Sequence, residues 1–129
     1  MRKLSVLYLF LALFWTYEVT YLSLFPIEPV SESWFNFPHT DKLGHFGFYF
    51  GFVFLWHLYF KTIRIKKALE YSFALAILYG ILMETLQYIM PYERMFDMLD
   101  IVANITGAIF AVICIKIVLP SLYSLKRKN

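Results

Sequence analysis

Asp41, Lys42, His45 and Tyr49 fall within nine residues, and Asp41, His45 and Tyr49 are spaced four apart. Glu84 and Gln87 are three apart, and Asp97, Asp100 and Asn104 follow at three and four. Arg94 stands between the last two groups. Carboxylates beside an imidazole can move protons, and the same groups suit several divalent metals. Arginine offers phosphate or carboxylate a planar fork, whereas lysine offers a point charge. Tyr, Asn and Gln hydrogen-bond hydroxyls and amides. The set can therefore hold a polar headgroup, do acid–base chemistry or take a metal. No HExxH or similar ligand spacing appears, and no serine or cysteine nucleophile falls among these residues.

The surroundings of these groups are hydrocarbon. Of 129 residues, 60% are hydrophobic, 21% aromatic and only 16% charged, and the mean hydropathy is +0.62. A soluble domain of this length cannot hide so much apolar surface, so lipid is the natural solvent. An ionised residue at mid-membrane costs about 2.5–3.5 kcal/mol, and a Leu or Phe returns only about 0.3–0.6. So many polar groups need partners, a function, or both. The single cysteine, Cys114, excludes an intrachain disulfide and a multi-cysteine metal site.

Four apolar runs must position the polar groups. The first, residues 4–25, follows Arg2 and Lys3 and ends at Pro26 and Pro29. A signal peptide is the rival reading; its charged start fits, but the run is long and no small-x-small cleavage site follows. Glu18 is its one charged residue. Residues 26–40 form a loop with Glu28, Glu32 and Trp34-Phe35-Asn36-Phe37, suited to a membrane–water boundary; a substrate-gripping lid is the alternative. Further runs cover about 41–60, 68–90 and 97–119, and Pro120 begins a tail ending in Lys126-Arg127-Lys128-Asn129. Each is near the roughly 20 residues that cross a bilayer core, where the backbone must satisfy itself as helix. The expected fold is all-α: one polytopic domain over 1–129, a four-transmembrane-helix bundle.

Arg2, Lys3, Lys61, Arg64, Lys66, Lys67 and the C-terminal basics fall on one side of such a bundle. The other side has only Lys42 and Arg94. Positive loops stay in the cytoplasm, so both termini should be cytoplasmic, in a multi-pass plasma-membrane protein. The net charge of +3 is then a topology signal and not a sign of nucleic-acid binding. With this topology Tyr49 lies roughly 12 Å below Asp41, Glu84 roughly 10 Å below Pro91, and Asn104 roughly 10 Å below Asp97. The three polar sets share one depth in the outer leaflet, each on one helical face. Gly44, Gly47, Gly51, Gly80, Gly107, Ala108 and Ala111 extend those faces, and small residues let membrane helices approach closely.

Structural roles compete with functional ones. Asp41 or Thr40 can cap the second helix and Asp97 the fourth, with Asp100 in a first turn that the helix dipole favours. Gln87 and Asn104 can be interhelical glue. His57 reads as interfacial packing, Lys116 as a snorkelling lysine and Glu93 as a solvated loop charge.

Asp41-Lys42-x-Gly44-His45-Phe46-x-x-Tyr49, Glu84-x-x-Gln87 and Arg94-x-x-Asp97-x-x-Asp100-x-x-x-Asn104-x-x-Gly107 together resemble the VanZ-like family of small bacterial membrane proteins, over roughly residues 5–118. The resemblance implies a bacterial cell-envelope protein. The family is linked to resistance to glycopeptide antibiotics, teicoplanin in particular, although many members have no assigned activity. Ala111 stands where another glycine is expected, which affects packing only.

Three functions fit. The first is binding of an envelope lipid headgroup or lipid-linked glycan precursor, with Arg94 and Lys42 on phosphate or carboxylate. Asp41, His45, Tyr49, Glu84, Gln87, Asp97, Asp100 and Asn104 would supply the remaining contacts. The second is an enzyme acting on a lipid phosphate or glycan, with Asp41, His45, Glu84, Asp97 and Asp100 as acid–base or divalent-metal candidates; no other cofactor is expected. The third is a structural or partner-binding membrane protein. Homodimerisation is left open.

Overall fold

The computed structural model describes residues 2–25, 40–90 and 97–128, the side chains of 40 and 122–128 excepted. Its described residues form four helices: α1 (Arg2–Leu24), α2 (Thr40–Thr62), α3 (Ala68–Ile89) and α4 (Met98–Lys128). The expectations about Trp34–Phe37, Glu93 and Arg94 lie outside the described residues.

Local chemistry explains the boundaries. Leu99 N–H donates to Asp97 Oδ1 at 2.9 Å, so Asp97 caps α4 as its position suggested. Met90 leaves α3 with ψ 144°, the extended conformation that a following proline imposes. At the end of α2, Ile65 N–H donates to Phe60 O at 3.0 Å and Arg64 N–H to Lys61 O at 3.1 Å. This is the Schellman pattern, and Arg64 occupies its left-handed position with φ 63°. Glycine is usual there; a left-handed arginine costs about 1–2 kcal/mol.

Pro120 departs from expectation. It lies inside α4, which continues to Lys128, so it does not begin a tail. Proline withholds only its own N–H, and the residues after it can still bond to the preceding turn.

α1, α3 and residues Met98–Ser121 of α4 are each long and apolar enough to cross a membrane. α2 is comparably long but carries Asp41, Lys42, His45, His57 and Lys61. Both α2 and α3 pack against all three other helices. Among the described residues α1 and α4 do not meet. Large apolar side chains such as Phe10, Leu78 and Ile117 point outward, as lipid as solvent allows.

The core is built around Tyr49, Phe52 and Val53 of α2, with Val19, Ala76, Ala108, Ala111 and Ile115 against them. Small residues set the spacing unevenly. A Cβ on Gly107 would lie 2.9 Å from the Phe46 Cα, so α4 backbone rides directly on α2 backbone there. A Cβ on Gly80 would lie 3.1 Å from the Tyr49 ring, and one on Gly51 would run into the Trp15 indole. Gly47 is exposed, with nothing within 4 Å. The Gly47–Gly51 pair is therefore not a seam: Gly51 admits a side chain of α1 and Gly47 faces away.

α1 is stitched to its neighbours by polar contacts. Trp15 Nε1–H donates to Phe48 O at 2.9 Å, and Trp56 Nε1–H to Thr16 Oγ1 at 3.1 Å. The hydroxyls of Thr20 and Tyr79 share a hydrogen bond, and Tyr79 also donates to Thr16 O at 3.3 Å. Its partners make α1 a constituent of the bundle.

Gly107→Ala should lower the melting temperature of the detergent-purified protein, by the equivalent of about 1–3 kcal/mol, because the new methyl meets backbone. Gly47→Ala should leave it unchanged or raise it, since alanine is the better helix former. Paired thermal melts check both.

Candidate functional site

The starts of α2 and α4 lie side by side, and the charged groups meet there. Lys42 Nζ donates to Asp41 Oδ2 at 2.8 Å, Asp97 Oδ2 at 2.6 Å and Asp100 Oδ1 at 2.5 Å. An ammonium has three protons, and here three carboxylates take them. Only 18% of the Lys42 side chain and 14% of Asp100 are exposed, against 63% of Asp41 and 40% of Asp97. The cluster thus has a buried side facing α4 and an open side at the bundle end. Lys42 and the Leu99 amide together hold the Asp97 carboxyl below the usual carboxylate range.

His45 lies one turn deeper. Its Nδ1 is 2.9 Å from Asn104 Oδ1, and its Nε2 is 3.6 Å from Asp100 Oδ2. The first distance is a hydrogen bond; the second is proximity without one. Asp100 thus sits between Lys42 and His45, with one oxygen turned to each. Asn104 is 4% exposed, and its other side faces a cavity of about 90 Å³ shared with Gly80, Ala76 and Ile101.

Tyr49 is deeper again, 1% exposed, with its ring against Gly80. Its hydroxyl has no hydrogen-bond partner among the described residues and lies within electrostatic range of Glu84 and Tyr79. Glu84 is 2% exposed, in the interior face of α3. Gln87 goes elsewhere: its Nε2–H donates to Ser23 O of α1 at 2.6 Å. The sequence-predicted residues therefore divide. Asp41, Lys42, His45, Asp97, Asp100 and Asn104 are one connected network, Tyr49 and Glu84 are buried below its opening, and Gln87 ties α3 to α1.

His57 is 7% exposed, on the same helix but toward its far end, consistent with packing. Sequence reasoning missed the α1 partners. Thr16, Thr20 and Ser23 recur at four and three residues, a polar stripe that was available to be read.

Among the described residues no three or more His, Cys, Asp or Glu side chains are arranged to hold a metal ion. Where Asp41, Asp97 and Asp100 converge, the Lys42 ammonium already supplies the positive charge. Beside the network an open groove of about 470 Å³ runs between α2 and α4, lined by Leu43, Phe46, Leu99, Val102, Ala103 and Thr106.

A family model described as VanZ/LLP1 matches residues 4–119. No curated protein and no solved structure matches the chain.

The ion cluster has a defined pH signature. The lowered Asp97 carboxyl contributes stability that is present above the ordinary carboxylate pKa of about 3.9 and lost as pH falls through its lowered folded value. Lys42→Met leaves three carboxylates facing one another, so it should melt lower than wild type at pH 7. That gap should narrow as the pH is taken from 7 toward 4 and the carboxylates protonate. A gap independent of pH, in melts of the two proteins side by side, would show that repulsion is not what Lys42 relieves.

Proposed function

The chain belongs to the VanZ/LLP1 family, and from that premise we propose that it binds the polar headgroup of a bacterial envelope lipid or lipid-linked glycan at the Lys42 end of the bundle. All four helices cross the plasma membrane, with both termini cytoplasmic and the Lys42 end in the outer leaflet. The basic residues clustered at the other end support this orientation.

The observation that carries the reading is the network itself. Lys42, Asp97, Asp100, His45 and Asn104 form a continuous polar wall between two helices, with an open apolar groove at its edge. A polar wall above an apolar groove suits an amphiphile. Lys42 is engaged by three carboxylates, so its part is to hold the wall together. Arg94 is the residue left for a phosphate or carboxylate, and Asn104 and the exposed carboxylates suit hydroxyls and amines.

The enzymatic reading rests on His45, which stands between Asp100 and Asn104 as an oriented proton carrier would. Turnover of a lipid phosphate or glycan by wild type, lost in His45→Ala, would favour it over binding alone.

The direct test is the inventory of lipids that co-purify with the protein from bacterial membranes, read by mass spectrometry. Wild type should retain one headgroup class above its share of the membrane. Arg94→Ala and Asn104→Leu should lose it at least several-fold while remaining folded. The same lipids in the same amounts from all three proteins would end the proposal.

A further inference from the structure

The groove beside the network is large and dry in character. Its walls come from two parallel stripes, Leu43 and Phe46 on α2 and Leu99, Val102, Ala103 and Thr106 on α4. From Leu99 to Thr106 the α4 stripe runs roughly 10 Å along the helix. Thr106 Oγ1–H already donates to Val102 O at 2.6 Å, and the Lys42 ammonium is held by its carboxylates. What these two residues have left to offer the groove is chiefly hydrocarbon. Waters need two to four polar partners each, and these walls supply almost none.

One end of the groove is Lys42, and the charge there is negative. Asp41, Asp97 and Asp100 surround the one ammonium. Among the described residues where α2 and α4 begin, three carboxylates therefore face one lysine. Asp41 and Asp97 remain open to further donors.

We infer that the α2–α4 groove seats one hydrocarbon chain of a lipid whose headgroup carries an ammonium, held at Asp41 and Asp97. This rests on the headgroup-binding reading above and specifies the lipid class. The chain fills the apolar stripe, and the amine is drawn to the excess carboxylate charge. A headgroup with only anionic charge meets repulsion at the same place.

The test uses the full chain reconstituted in bilayers of equal phosphatidylethanolamine and phosphatidylglycerol. The protein is extracted and the tightly retained lipid is quantified. Wild type should retain phosphatidylethanolamine several-fold over phosphatidylglycerol. Ala103→Trp, which fills the groove, should lose most of the retained lipid. Asp97→Asn should keep lipid but move the ratio toward that of the bilayer. Thermal melts confirm that each variant is folded, and Val102→Trp replaces Ala103→Trp if the latter is not. A wild-type ratio equal to the bilayer's, or phosphatidylglycerol enrichment, overturns the amine assignment. If that lipid is still lost in Ala103→Trp, headgroup binding survives. Undiminished phosphatidylethanolamine retention in the folded groove-filling variant overturns the groove as the seat. Retention of no lipid by any of the proteins overturns both this inference and the reading beneath it.

Discussion

One ammonium holds together the end of the bundle where α2 and α4 begin. α2 and α4 run parallel, so their N-termini, each bearing partial positive charge, lie next to each other. Asp41, Asp97 and Asp100 sit at those termini and offset both dipoles. They would then repel one another, and Lys42 resolves the conflict by donating to all three. Lys42 and Asp100 are largely buried, so removing one partner leaves charge without compensation, which costs more than losing an exposed ion pair.

The polar contacts and the backbone packing depend on each other. His45 reaches Asn104 at 2.9 Å, and the next residue on α2, Phe46, presents backbone to Gly107, one turn beyond Asn104. A side chain at 107 would lift the two helices apart where the imidazole and amide must meet. Asn104, Ala108, Ala111 and Ile115 continue the buried stripe at helical spacing. The hydrogen-bonded seam and the close-packed seam are thus one face of α4. The same logic links α3, where Gly80 makes room for the Tyr49 ring.

Much of this was legible before any coordinates. The helices follow from apolar run length, and shared spacing brought Asp41, Lys42 and His45 to face Asp97, Asp100 and Asn104. Other features left weaker traces. Gln87 bonds a main-chain carbonyl of Ser23, and a carbonyl is present at every residue, so sequence cannot single it out. Gly47 and Gly51 look alike on paper, yet they face different directions. Lys42 reads as an anion-binding cation until its neighbours are seen to use all three of its protons. Pro120 reads as a helix end, but α4 runs through it.

The contacts from Lys42 to Asp97 and Asp100 span 55 and 58 residues of chain. A ribosome delivers the lysine long before either aspartate. Until α4 is made, Asp41 on its own helix is the one of the three carboxylates within reach of Lys42, and His45 lacks its Asn104 partner. The polar seam of α2 is completed only when α4 arrives.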